Sequence, residues 1–378
     1  AEQRKEAGSQ TRQALWIALA LGVPSWFLCY FSEPLLTAFR IDPVIVPEAA
    51  GYLRALSWGA PGLALVFLLR FFSEGSGNTK PTMFYGVAGA LLNIPLNYVL
   101  MFGKLGMPAL GTVGCGYATS IVIWLQFLLL VAYIGTHRHY EPFALMSHLE
   151  KPDWSRIGGL LKVGIPIAVA IFVEGSLFVG AALLIGRLGP VPTAAHLVAI
   201  NFSALVFMIP VGLSSAVSIR VGNAIGRGEP EAARYAGLIG LLIILMVQTV
   251  SASVMLLFPE MVVRIYTDDL AVSSLAVSLL LYAAIFQYPD GIQIVAAGTL
   301  RGYKDTRAPM LYMVISFWVI GMTLGYNLTF NGGMGPAGMW VGMIAGLSVA
   351  AVLMLLRFQH TSKKLIRDSG PQRRPESP

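Results

Sequence analysis

Ten long stretches with almost no charge, separated by short charged loops, dominate this chain. They lie near residues 14–32, 50–72, 82–103, 112–135, 160–186, 194–219, 236–258, 272–298, 309–330 and 336–357. About 20 apolar residues in a helix span the hydrocarbon of a bilayer. The expected fold class is therefore an all-α membrane protein with ten transmembrane helices, because lipid leaves backbone polar groups no partners but their own helix. Composition agrees. Hydrophobic residues make up 56% and charged residues 12%, against about 25% charged in soluble domains. Two soluble domains of this total length are excluded.

The net charge is +7, a balance that in a soluble chain would suggest nucleic acid. Here the basic residues sit in short loops beside the spans, so topology accounts for them and no nucleic-acid partner is expected. Cys29 and Cys115 lie in or beside spans and form no disulfide framework or zinc motif. Residues 14–31 follow a basic segment, as a signal peptide would, but the repeat described below identifies them as a true helix.

Ten is an even number, so both termini share a side. Of the 26 Lys and Arg, only Arg40, Lys104, Arg187 and Arg264 fall on the opposite side, and Arg54 sits just inside a span near it. The rest, including Lys80, Arg156, Arg227, Lys304 and the tail residues Lys363 and Lys364, fall on the side of the termini. The positive-inside rule makes that side cytoplasmic. Pro24, Pro61, Pro95, Pro166, Pro210 and Pro289 lie within spans. Each removes a helix hydrogen bond, either for shape alone or to bend a helix at a pathway.

The chain repeats itself with an offset of 227 residues. Phe31 and Glu33 match Phe258 and Glu260, and Asp42 matches Asp269. Gly75, Thr79, Met83, Tyr85 and Val87 match Gly302, Thr306, Met310, Tyr312 and Val314. Met107 and Gly111 match Met334 and Gly338, and with one shift Pro61 matches Pro289. The loops GSGNTK and GYKDTR are the clearest pair. The spans 160–186 and 194–219 have no partner in the first half. The expected organisation is an N-terminal lobe of four helices (1–135), a cytoplasmic linker (136–159), a C-terminal lobe of six helices (160–357) and a disordered tail (358–378). Two N-terminal helices, about 67 residues, would restore the symmetry and make ten helices ten of twelve. Such parallel repeats place a substrate path between the halves.

Acidic residues within spans carry the sharpest chemical signal: Glu174 in IPIAVAIFVEGSLFVGAALL and Asp290 in AAIFQYPDGIQIVAAG. An isolated charge at that depth costs about 2.5–3.5 kcal/mol on insertion scales, so it faces a cavity or a partner. The plainer alternative is a protonated carboxyl satisfied by a neighbouring helix. Carboxylates suit hard cations such as Na⁺, and buried ones also carry protons. Asp290 aligns with Gly62 or Leu63 in the repeat, so symmetric packing does not account for it.

Asn93 and Asn97 lie one turn apart on one helix face, where they either bind helices together or line a polar path. Asn201 reads the same way. His196 reads as interfacial rather than catalytic. His137, His139 and His148 share the linker without a metal-ligand spacing. Phe172, Phe178, Phe202, Met208, Phe286, Tyr288 and Trp318 either line a site for an amphipathic cation or pack against core and lipid. The basic tail reads as solvated, near anionic lipid.

Three segments, INFSALVFMIPVGLSSAVSIRVGNAIGRGEPEAAR, AAGTLRGYKDTRAPM and LLNIPLNYVLMFGKLGMPALGTVGCGYAT, resemble the multidrug and toxic compound extrusion (MATE) transporters, closest to the NorM-like branch, over about residues 12–357. The resemblance implies twelve helices in two six-helix lobes around a V-shaped cleft. It also implies export of cationic, amphipathic drugs in exchange for Na⁺ or H⁺, with no cofactor beyond that ion. It makes Glu174 and Asp290 the cation-binding pair of the second lobe, and Asn93 and Asn97 cavity-lining residues of the first. Asn201, Phe286 and Tyr288 support or line the cavity. Phe286 stands where NorM-like members often have Tyr, and the family's Asp in its first helix belongs to a helix this sequence lacks. A multi-pass monomer in a bacterial inner membrane is expected. The alternatives are a lipid-linked oligosaccharide flippase, a truncated transporter without activity, a channel, or an intramembrane enzyme. A flippase would need a cationic cleft, whereas the interior charges here are acidic. An enzyme would need a nucleophile–base pair or metal cluster that no span shows.

Overall fold

The structure is a computed structural model that describes residues 2–38, 43–147 and 150–369. Arg40, Asp42, His148 and residues 370–378 lie outside the described residues. No strand occurs among the described residues. Nine helices there are long and apolar enough to cross a membrane, or ten if one bent pair counts as a single span.

The chain divides into two compact units, Ala1–Leu161 and Lys162–Pro378. The first holds α1 (Glu2–Tyr30), the short α2 (Glu33–Ala38), α3 (Val46–Ser57), α4 (Ala60–Gly75), α5 (Lys80–Phe102) and α6 (Gly111–Thr136). α7 (Trp154–Gly186) leads into the second. There follow α8 (Pro190–Gly226), α9 (Pro230–Leu257), the short α10 (Pro259–Arg264) and α11 (Leu270–Gly302). α12 (Arg307–Asn331) and α13 (Pro336–Asp368) complete it. Proline opens α8, α9 and α13, where its missing N–H costs nothing. Asp269 caps α11, its Oδ1 accepting from the N–H groups of Ala271 (2.8 Å) and Val272 (3.1 Å).

Element boundaries follow the 227-residue offset. α1 ends at Tyr30 and α9 at Leu257; α5 begins at Lys80 and α12 at Arg307. Even loop backbones correspond. Gly77 and Lys304, paired by the offset, both take left-handed φ values of 90° and 60°, and so do Gly106 and Gly333, at 80° and 67°.

In the first unit, α3 and α4 meet at a 45° bend around Trp58 and Gly59. The bend and Pro61 disturb the regular ladder, and α6 satisfies the carbonyls there. Ser120 Oγ donates to the carbonyls of Ala55 (2.9 Å) and Leu56 (3.2 Å), and Trp124 Nε1 donates to that of Trp58 (2.8 Å). The segment 136–147 folds onto this unit. It contains a 3₁₀ turn, Arg138–Phe143, whose Tyr140 and Phe143 are buried against Phe72.

In the second unit, α11 is the central element, packed by α8, α9 and α13. Small residues permit the close crossings. Gly298 abuts Ser214 and Gly302 abuts Val221, both on α8. α12 contains wide π turns over Val314–Met322 and Asn327–Asn331. Its Gly321 and Gly325 lie against Gly346 and Gly342 of α13, two small-xxx-small pairs face to face.

One sequence expectation is corrected. Residues 358–368, read as part of a disordered tail, continue α13 to Asp368. Phe358 is buried in the core of the second unit and anchors the first turn of that extension.

Candidate functional site

In the second unit, α7 presents Glu174 and α11 presents Asp290. Glu174 is half-buried and Asp290 is 2% exposed. Gln293, one turn beyond Asp290 on α11, donates its Nε2 to Glu174 Oε1 at 2.6 Å. Asp290 Oδ1 is buried and has no hydrogen-bond partner. Pro289 lies inside α11 directly before it. Two carboxyls and an unsatisfied oxygen in an apolar helix bundle form an acceptor-rich site suited to a cation or a proton.

Phe286 is fully buried, edge-on to Phe178 (6.0 Å) and Trp340 (5.5 Å). It fixes the turn before Asp290 by packing. Tyr288 is half-buried, and its hydroxyl donates to Thr249 Oγ1 of α9 at 3.3 Å. Asn201 is exposed and donates to the Leu197 carbonyl in its own helix. Asn93 and Asn97 belong to the first unit, where Asn97 Nδ2 donates to Asn93 Oδ1 at 2.6 Å. Asn97 Oδ1 is buried without a partner. Glu174 and Asp290 therefore share one constellation within the second unit, and Asn93 and Asn97 another within the first.

His196 lies outside both constellations, toward the start of α8. It is 1% exposed on α8, 5.7 Å from the Trp340 ring, and neither ring nitrogen has a partner. α8 already begins at Pro190, which carries His196 a full turn inside the helix. His137 and His139 stack among Tyr133, Tyr140 and Phe143, and no three His, Cys, Asp or Glu come together among the described residues.

Sequence reasoning missed Gln293, and with it Gln287 and Gln248. The spacing held a signal: Gln287 and Gln293 lie three residues either side of Asp290, and Gln248 interrupts LLIILMVQTV.

The fold and site define a class: a multi-pass helical membrane protein built from a repeat, with one buried and one half-buried carboxyl in one unit. Comparison with known proteins narrows this. Residues 1–99 and 166–327 match the MatE family. The chain is 47% identical over 371 residues to "Probable multidrug resistance protein NorM" of Xanthomonas campestris, covering 98% of this chain and 81% of that protein. It is 42% identical over 376 residues to multidrug resistance protein PmpM of Pseudomonas aeruginosa, covering 97% and 79%. The crystal structure of the eukaryotic MATE transporter AtDTX14 superposes with a TM-score of 0.83 at 21% identity, covering 97% of this chain and 82% of that one. The chain belongs to the MATE family, a transporter family.

Proposed function

We propose that this chain is a secondary active multidrug antiporter that exports cationic, amphipathic compounds in exchange for Na⁺ or H⁺ by alternating access. The relatives' names support drug export. The observation that carries ion coupling is the buried Asp290, with an oxygen lacking a partner, beside the Glu174–Gln293 pair. In the proposed cycle, Glu174 and Asp290 take the coupling cation. Its binding favours an outward-open state with weak affinity for the drug, and drug binding from inside favours the return. Coupling is then a difference in affinity between two states. The Lys and Arg bias supports cytoplasmic termini in a bacterial inner membrane. We assign the working unit as a monomer.

The test is efflux of a fluorescent amphipathic cation from cells. Glu174→Gln and Asp290→Asn should each abolish ion-dependent efflux while the protein accumulates folded in the membrane. Undiminished efflux in both variants refutes the proposal.

A further inference from the structure

Three aromatic rings meet at the C-terminal end of α1. Trp26 stacks on Tyr30, with ring centroids 5.1 Å apart and planes at 25°. Trp58, at the bend between α3 and α4, stands edge-on to both, 5.8 Å from Trp26 and 6.3 Å from Tyr30. The Trp58 carbonyl is held by Trp124 Nε1 of α6, which fixes its backbone. Two charged groups border the rings. The guanidinium of Arg54, one turn before Trp58 on α3, lies over the Tyr30 ring, 5.4 Å from its centroid. Glu33, at the start of α2, lies 3.7 Å from Arg54.

The repeat does not demand this patch. By the unshifted offset Tyr30, Arg54 and Trp58 pair with Leu257, Leu281 and Ile285, and Trp26 pairs with Ser253. The second unit thus builds the same place from aliphatic side chains and a hydroxyl. Nor is the patch a face that a further helix would cover. Leu257, Leu281 and Ile285 are 70%, 45% and 58% exposed, with α8 packed on that unit. Trp58 is likewise 51% exposed, and the side chains of Arg54 and Glu33 are 50% and 59% exposed.

The chemistry of the patch selects a ligand. Aromatic faces attract cations, and more strongly where water is displaced. The Tyr30 face already carries one cation, the guanidinium of Arg54. The Arg54–Glu33 pair is exposed on both sides, and such pairs are weak contacts. Arg54 also has a long flexible stem, so it can leave the ring at little cost. The place it leaves offers the Tyr30 face, two indole rings and a carboxylate. A small inorganic cation is held better by several oxygen ligands. The rings and the single carboxylate instead suit a weakly hydrated organic cation with an apolar body, a quaternary ammonium or phosphonium.

We infer that Tyr30, Trp26, Trp58 and Glu33 form a binding site for an organic cation in the first unit, and that Arg54 is the internal cation which the ligand displaces. The inference rests on the export reading above for its class of compound and deepens it by naming side chains that hold the cation.

The test is equilibrium dialysis of tetraphenylphosphonium against the purified full chain in detergent. Tetraphenylborate, of the same shape and opposite charge, is the comparison probe. Arg54→Gln removes the internal competitor and should tighten the phosphonium at least about threefold without tightening the borate. Tyr30→Leu and Trp58→Ile, which copy the second unit, should each weaken the phosphonium at least about tenfold, and Glu33→Gln about threefold. Phosphatidylethanolamine added to the micelles should leave the wild-type midpoint within about twofold. The site is overturned if Arg54→Gln weakens the phosphonium or leaves its midpoint unchanged, since a guanidinium that only packs on the ring yields no gain when removed. It is also overturned if Tyr30→Leu and Trp58→Ile bind as the wild type does, or if the lipid displaces the phosphonium, which would assign the patch to a lipid headgroup. Dye efflux separates the two readings. Absent efflux with this pattern of midpoints intact removes the export reading and leaves the site. Efflux in the wild type with unchanged midpoints in Tyr30→Leu and Trp58→Ile removes the site and leaves export.

Discussion

Gly75 and Gly302 occupy the same place in the repeat and live in different surroundings. Gly302 ends α11 pressed on α8, where a Cβ would lie 2.7 Å from Val221 Cβ and 2.8 Å from the Ser218 carbonyl oxygen. Gly75 ends α4 with nothing within 4 Å of such a Cβ. The same contrast runs along the whole paired region. α11 is one continuous helix buried on several sides, whereas α3 and α4 bend and expose Trp58, Leu63, Phe67 and Phe71. Of the three helices that pack on α11, α9 and α13 have counterparts in the first unit by the offset, in α1 and α6, and α8 has none. A repeated sequence thus fixes where helices start and stop, while its neighbours decide whether a helix stays straight and what its faces do.

The first unit compensates with polar contacts. Gln13 of α1 pairs with Gly240 of α9 by the offset. Gly240 fits against Val217 of α8, but Gln13 instead holds the linker, donating to Glu150 Oε2 at 3.1 Å and accepting from the Asp153 N–H at 2.8 Å. Ser9 and Arg12 also donate to Glu150, Arg12 Nε at 3.0 Å. These hydrogen bonds, that of Arg12 first, hold the Glu150 carboxyl down to about 2, below its ordinary 4.5.

The largest expected break falls on α12 and α13. A Cβ on Gly342 would lie 2.3 Å from Gly325 Cα, a backbone atom that cannot turn aside. Gly342→Val should cost about 3 kcal/mol or more, read as a large loss of Tm or of folded protein. Cys115, its counterpart on α6, carries a side chain already, so Cys115→Val should cost less than about 1.5 kcal/mol.

The paired glycines give the next effect. Gly302→Ala should destabilise by about 1–3 kcal/mol. Gly75→Ala should be neutral within about 0.5 kcal/mol or slightly stabilising, since alanine favours helix. Equal losses at both positions would remove the contrast drawn from α8.

The smallest effect concerns pH. Glu150 has a depressed folded value, so its contribution is fully present above about 4.5 and is lost as pH falls toward about 2. The exchange protection factors of the amides of Glu150, Lys151 and Asp153 should fall over that window while those of α11 hold. Arg12→Leu should shrink the pH step, and a step of undiminished size in that variant would assign it to another group.

Much of this was legible in the sequence. The apolar stretches and the offset marked the helices, because a bilayer imposes length and charge rules on each segment alone. Glu174 and Asp290 stood out because charge is rare there. The burial of His196 and that of Gln248 were not legible. Each depends on which helix lies opposite, and periodicity within one helix carries no information about register between two. The helical extension to Asp368 was missed because its charged residues read as solvated tail, whereas Phe358 ties it to the core.

The central claim is that ion-coupled export depends on the buried carboxyls of the second unit. The most direct measurement reconstitutes the chain in liposomes with an imposed Na⁺ or proton gradient as the sole energy source and follows movement of a fluorescent amphipathic cation against its own gradient. The account predicts uphill movement that Asp290→Asn abolishes and that Thr136→Ala, at an exposed position whose hydroxyl bonds only to its own helix, leaves intact. Uphill movement of undiminished rate in Asp290→Asn would contradict it.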